Sequence, residues 1–406
     1  MVIAAGTAIA LCIMGDSLMY SVLPLHAAHL GWALPLVGIL LSANRIVRLI
    51  SNQWAGSAFE RYGPRIPFVG SAALGLTTTF AYGLSAGFLV FLLARIAWGI
   101  AWSGLRQGGY VATWTGTQNI RGRLTGLLLG LIRFGSAAGV VLGGVIYDHF
   151  GFVAAVETLA VIGLLAIPVA LSIPWHRWTS NADATEPTPP GTVTRTGWQQ
   201  SLELAFGRPE LRWLSITSFF TYMLGGVIVS TTSIYILSKT TQATDALVFG
   251  VGVATITGLL HGARWSTNLL IGPLVGAISD RIGKSNTLLI LILCMFLSLI
   301  TAWTAQATGA IVAFLVVLLL DGSLVVVVSA TANTVATETP YPHKFIAAFA
   351  TLTDAGSALG PLIAYSALAT TQLPIVYVSG AAILTICIAK FWQTERTRTG
   401  DLLRTS

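Results

Sequence analysis

Twelve apolar runs follow one another along this chain, at about 3–26, 34–58, 66–86, 88–113, 124–148, 152–173, 212–237, 246–278, 285–304, 309–335, 345–367 and 373–390. Each is close to the ~20 residues that carry an α-helix across a bilayer. The hydrocarbon core offers a bare backbone no hydrogen bonds, so runs of this length cross it as helices. The chain is therefore expected to be an all-α membrane protein with 12 transmembrane helices. Composition agrees: 54% of residues are hydrophobic, 9% are charged and the mean hydropathy is +0.78, whereas a soluble protein carries roughly 25% charged residues. The first run lacks a basic leader and a clear small-residue cleavage site and contains Asp16, so it reads as a span and not as a signal peptide.

The longest polar stretch, 174–211, divides the runs six and six. It opens with SNADATEPTPPGTVTRTG, a linker composition without periodicity. It closes with WQQSLELAFGRPELRW, which reads as a short surface helix. The expected organisation is a first six-helix half at 1–173, a linker at 174–211, a second half at 212–391 and a tail at 392–406.

A short pattern marks the same place in both halves. Gly56, Glu60, Arg61 and Gly63 stand in GSAFERYGPR, and Gly276, Asp280, Arg281 and Gly283 stand in GAISDRIGKS. Each copy lies between one apolar run and the next, at half the chain's length from the other, as expected of a duplicated unit. Gly, acid and Arg at a span end make a compact loop with a fixed ion pair. A solvated turn accounts for one copy; two copies at matching places read as a gate that holds neighbouring helices in one conformer. Small residues form a second pattern. Gly135, Gly139 and Gly143 share one stripe of span five, and Gly356 and Gly360, followed by Pro361, share one of span eleven. Such stripes let helix backbones approach closely, either as static packing or as a seam between the halves.

Positive charge orients the bundle. Of the 22 Lys and Arg, six lie inside spans and Lys239 lies in a loop on one side. All the others lie on the opposite side, which places both termini, the linker and both loop motifs in the cytoplasm. The net charge of +7 is thus a topology signal. It is scattered over separate loops, which argues against nucleic acid as a partner.

The two loop motifs resemble motif A of the major facilitator superfamily, with Glu60 in place of the usual Asp and Pro64 added in the first copy. Arg95, Trp98 and Gly99 of span four are similar to its arginine-bearing motif B, with Trp98 where a glutamine is usual. GSAAGVVLGG in span five is similar to motif C, which is associated with exporters, with Val140 replacing the proline; GSALGPLIAY in span eleven keeps Pro361. The resemblance covers the whole chain. It implies two halves related about the membrane normal, a site between them near the midplane, and alternating access. It also implies a monomeric transporter in the plasma membrane, here a prokaryotic inner membrane.

Charges inside spans are costly and face an interior or a cavity. The basic ones are Arg45, Arg48, Arg95, Arg106, Arg133 and Arg264; the acidic ones are Asp16, Glu157, Asp321 and Asp354; His261 joins them. Spans three, nine and twelve have none, which fits the outer scaffold that the resemblance implies. Arg45 and Arg264 precede their motif acids by similar lengths of helix, so the two halves offer an arginine at similar depth. Arg48 shares a face with Arg45. Planar guanidinium groups suit carboxylates, phosphates and other oxyanions. Arg45, Arg48, Arg264, His261 and Arg133 are therefore the substrate-binding candidates. Arg133 and Asp354 occupy repeat-equivalent positions with opposite charge, free to pair with each other or with other cavity charges. For protons, Asp16 at the middle of span one is the leading carrier and Arg95 its neighbour, followed by Asp321 and Asp354.

The three cysteines lie within apolar runs and the chain shows no metal-ligand spacing, so no disulfide, metal or cofactor is expected. No Ser/His/Asp, HExxH or nucleotide-loop pattern appears, so an enzyme is not expected. The leading reading is a proton-coupled secondary transporter for a small substrate with an anionic group, possibly an exporter in direction. The alternative is a multidrug/proton antiporter for lipophilic or cationic compounds.

Overall fold

The computed structural model describes residues 1–84, 87–114, 118–175, 203, 205–240, 251–339 and 341–405. Its regular elements are α-helices: α1 Val2–His26, α2 Leu34–Ile46, α3 Arg48–Tyr62, α4 Arg65–Gly83, α5 Phe88–Trp114, α6 Gln118–Gly163 and α7 Ala166–Leu171. After residues 176–202 come α8 Pro209–Thr240, α9 Val253–Leu270, α10 Gly272–Ile282, α11 Lys284–Thr304, α12 Ala307–Thr337, α13 Pro342–Leu368 and α14 Leu373–Thr405. Most of the expected linker lies outside the described residues.

These helices do not map one to one onto twelve runs, and among the described residues eight stretches are long and apolar enough to cross a membrane. One of them, Ile120–Leu171, has 52 residues, more than twice what a crossing needs. It is divided at Gly151, where φ is 83° and ψ −178°, a conformation essentially confined to glycine. The run expected at 34–58 is α2 and α3, which continue through Val47 with helical angles as one 29-residue stretch, Leu34–Tyr62. At that junction the Arg48 side chain donates from Nε to the Asn44 carbonyl at 3.1 Å. The 392–406 tail, expected as a separate segment, continues α14 as helix.

The bundle is apolar outside, and its largely apolar interior holds a few charged groups. Phe134, Phe150 and Leu297 are exposed, whereas Arg95, His261 and Asp321 are buried. Lipid solvates the first group; the second needs partners within the protein. The central helices are α1 and α8, the most buried of the spanning set. Four of the hydroxyls buried along α8 are satisfied locally: Ser218, Thr221, Thr231 and Thr232 each donate to the carbonyl four residues earlier. α1 packs on α6 and α8 packs on α13, while α6 meets α9 and α2 meets α13 across the middle.

Both loop motifs end in the same backbone state. Gly63 (φ 70°) separates α3 from α4, and Gly283 (φ 90°) separates α10 from α11. A side chain is strained at such φ values, so the last glycine of each copy is fixed by the turn.

Candidate functional site

A cavity of about 270 Å³ lies between α1, α2, α3, α5, α6, α8, α9, α12 and α13. Asp16, Arg45, Arg48, Arg133 and Arg264, all singled out from sequence, line it together with Arg106. Tyr20, Trp102, Tyr222 and Trp265 supply aromatic walls.

At the α1 wall, Asp16 Oδ1 accepts from Asn44 Nδ2 at 3.0 Å and forms an ion pair with Arg95 Nη1. Arg95 is fully buried behind it and donates from Nε to the Leu40 carbonyl at 3.0 Å. The Asp16 side chain keeps 9% of its surface exposed. One carboxylate oxygen is thus held by the protein, and the residue still borders the cavity. Arg45, from α2, donates from Nε to Tyr20 Oη at 3.0 Å and from Nη1 to the Ser357 carbonyl of α13 at 3.2 Å. Arg48 has its guanidinium 5.5 Å from the Trp102 ring centre, within cation–π range.

On the opposite wall, Arg264 donates from Nε at 2.8 Å and from Nη2 to the same oxygen of Asp321, which is 1% exposed. Gly225 of α8 makes room for that carboxylate: a Cβ there would lie 2.8 Å from Asp321 Oδ1. Asp354 pairs with Arg106 at 3.5 Å and not with its repeat counterpart Arg133. Arg133 makes no ion pair with a described residue.

Two groups of candidates stand elsewhere. His261 is fully buried, 5.8 Å from the Trp265 ring, and is not among the residues lining the cavity. The glycine stripes face helices on their own side of the linker. A Cβ at Gly135 would meet the Ala10 backbone, at Gly139 the Met14 backbone at 2.6 Å and at Gly143 Leu18 at 2.5 Å, all on α1. Gly356 and Gly360 meet Phe219 and Met223 on α8 in the same way. A seam between the two groups of helices does exist, but other glycines build it. Gly38 approaches the Pro361 carbonyl at 2.9 Å, Gly144 the Ala254 carbonyl at 2.6 Å, and Gly258 the Val140 carbonyl.

That seam closes one end of the molecule. Asp148, near the Gly151 turn, accepts hydrogen bonds from the amides of Ala254 (3.2 Å) and Thr255 (2.8 Å) and from Thr255 Oγ1 (2.6 Å). A carboxylate of α6 therefore caps the N-terminus of α9, using orphan amides and the positive end of the helix dipole. At the motif end the helices part. α13 packs along α2 but scarcely touches α3, and α10 packs on α9, α11 and α12. Glu60, Arg61, Asp280 and Arg281 are exposed. Among the described residues the fixed ion pair expected of these loops is not formed, and Arg61 lies against the Tyr62 ring at 5.3 Å. A Cβ at Gly56 or Gly276 would meet open space.

Sequence reasoning missed Asn44, Tyr20 and Asp148. Asn44 is a polar residue within an apolar run next to Arg45, a usable signal; Asp148 sits at a run's edge, where an acid reads as solvated. An Asp148→Ala variant loses the cap, a change of about 1 kcal/mol, which is a several-fold shift away from the closed end. Distances between spin labels at His149 and Leu259 should broaden toward longer values; an unchanged distribution would show that the cap does not hold this end.

The Major Facilitator Superfamily sequence description matches residues 5–361. The synaptic vesicular amine transporter of Homo sapiens is 29% identical over 131 residues, 32% of this chain and 26% of that protein. A probable vesicular acetylcholine transporter-A of Danio rerio is 25% identical over 139 residues, 33% of this chain and 27% of that protein. The chain thus spans about a quarter of the length of these relatives. Among solved structures, a mutant of the nucleoside transporter NupG superposes with TM-score 0.77 at 13% identity, covering 97% of this chain and 98% of that one. A bacterial homolog of the human lysosomal transporter Spinster, inward-facing and unoccupied, gives 0.74 at 15% identity, covering 98% and 97%. At such identities these two likenesses establish a shared fold.

Proposed function

Because the chain belongs to the Major Facilitator Superfamily, we propose that it is a secondary active transporter that carries a small substrate with an anionic group by alternating access. The observation that carries this reading is the cavity's charge. Six arginines, Arg45, Arg48, Arg95, Arg106, Arg133 and Arg264, stand in or against it, and three of them pair with Asp16, Asp354 and Asp321. The positive surplus favours an anion and repels a cation. The reaction is movement, not bond chemistry.

In this reading the halves 1–173 and 212–391 rock about the central cavity while 174–211 joins them. With the basic loops in the cytoplasm of a prokaryotic inner membrane, the described conformer is closed outside and open inside. Its exposed Glu60/Arg61 and Asp280/Arg281 loops engage when the motif end closes. Asp16 carries the coupling proton, with Asp321 the second carboxylate available. The working unit is a monomer. The likeness to vesicular amine and acetylcholine transporters favours a second reading, a proton antiporter for lipophilic or cationic compounds.

Thermal shift of the purified chain separates the two. Small organic anions should stabilise it in a saturable way, and Arg48→Ala should weaken that response by about tenfold, the ~1.5–3 kcal/mol of a charged hydrogen bond. Stabilisation by tetraphenylphosphonium alone, unchanged in Arg48→Ala, would overturn the anion reading in favour of the second.

A further inference from the structure

The three arginines without a carboxylate partner differ in how far the protein has already satisfied them. Arg45 is committed to Tyr20 Oη and the Ser357 carbonyl. Arg48 uses Nε on the Asn44 carbonyl and lays its plane near Trp102, so its Nη groups have no recorded partner among the described residues. Arg133 makes neither a hydrogen bond nor an ion pair with a described residue, although it lines the same cavity. Arg45 acts as a like charge on both Arg48 and Arg133, and Arg264 adds to it at Arg133; Asp354 and Asp16 act favourably on Arg48 without forming an ion pair with it. A guanidinium in a confined, partly apolar space needs an anion or good acceptors. Arg48 begins α3 and Arg133 lies within α6, so the two unsatisfied cations belong to different walls.

We infer that the cavity takes a small organic dianion, its two charged groups received separately by Arg48 and Arg133. This rests on the anion-transport reading and sharpens it. A monoanion leaves one of these cations uncompensated when the site closes around it. A dianion satisfies both and leaves only Arg45, which already has two neutral acceptors. Ile13, Val229 and Val325 line the space with Trp102 and Trp265, which suits a short carbon skeleton between the charges. Dicarboxylates and phosphomonoesters share this chemistry.

The test compares butyrate, succinate and propyl phosphate as ligands of the purified full-length chain, at a pH where the last two are doubly charged. At least one dianion should half-saturate the thermal shift at a concentration at least about tenfold below butyrate, the gain expected of a second charged contact. Which dianion does so separates dicarboxylate from phosphomonoester. Arg133→Gln should bring that dianion to within about twofold of butyrate measured on the same variant, and Arg133→Lys should restore part of the difference. Equal binding of butyrate and both dianions by the unaltered protein overturns the dianion inference and leaves anion transport standing. The absence of a response to any anion, with a response to tetraphenylphosphonium, overturns both.

Discussion

Asp16→Asn should abolish proton-driven uphill transport in proteoliposomes and leave exchange of substrate across the membrane in place. The substitution is nearly isosteric, and the amide oxygen can still accept from Asn44 Nδ2 and Arg95. What it removes is the negative charge beside a fully buried Arg95. Taking one partner from a buried ion pair costs about 3–5 kcal/mol, so the variant should also denature at a lower temperature. The two effects separate in a double variant. Asp16→Asn with Arg95→Gln removes the orphaned cation and should recover much of the stability, because matched neutral groups can replace a buried pair at little net cost. It should not recover uphill transport if the proton is carried at Asp16 as proposed, since no carboxylate remains at that position. Uphill transport at the unaltered rate in either variant would move the proton to another acid, with Asp321 first in line.

One kind of substitution at two glycines is expected to give opposite phenotypes. Gly139 faces the Met14 backbone, where a Cβ would lie 2.6 Å from Cα and from the carbonyl oxygen. α1 and α6 lie on the same side of the linker, so rocking does not separate them. Gly139→Val therefore clashes in every conformer and should cost about 1–3 kcal/mol or more of stability. Gly258 faces the Val140 carbonyl across the seam between α9 and α6. A side chain there clashes only while that end is closed. The same penalty then appears as a shift in conformer ratio of roughly 5–150-fold, with transport falling to match and thermal stability largely kept. Thermal denaturation and spin-label distances across the α6–α9 contact measure the two results. If Gly258→Val unfolds the protein as readily as Gly139→Val, the seam is static packing.

How far the sequence reached can be judged residue by residue. The apolar runs and the doubled motif led to the fold; the positive φ shared by Gly63 and Gly283 was not foreseen, and the ion pair expected in their loops is not formed among the described residues. The cost of a charge in lipid identified Arg45, Arg48, Arg133, Arg264 and Asp16, and the cavity gathers all five. His261 obeyed the same rule of cost and is buried apart from the cavity lining, because an imidazole, unlike an arginine, can be buried neutral. The 221-residue offset made Arg133 and Asp354 counterparts, but Asp354 meets Arg106 instead. Repeat symmetry relates positions in the two halves; it does not bring them into contact.

The sequence alone determined that this chain crosses a membrane as helices, and it named most of the charges that hide inside; Glu157, expected among them, is exposed on α6. Those are properties of single residues and their spacing: transfer cost, helix period and turn chemistry. Only the tertiary structure decided which arginines are neutralised, which remain open to a ligand, which glycines build the seam and which end is shut. Each of these depends on how helices rotate and cross. Neighbouring residues on a helix point about 100° apart, so a small rotation exchanges one facing charge for another. No spacing along the chain fixes that rotation; the packing of α1 on α6, α8 on α13 and α9 on α6 does.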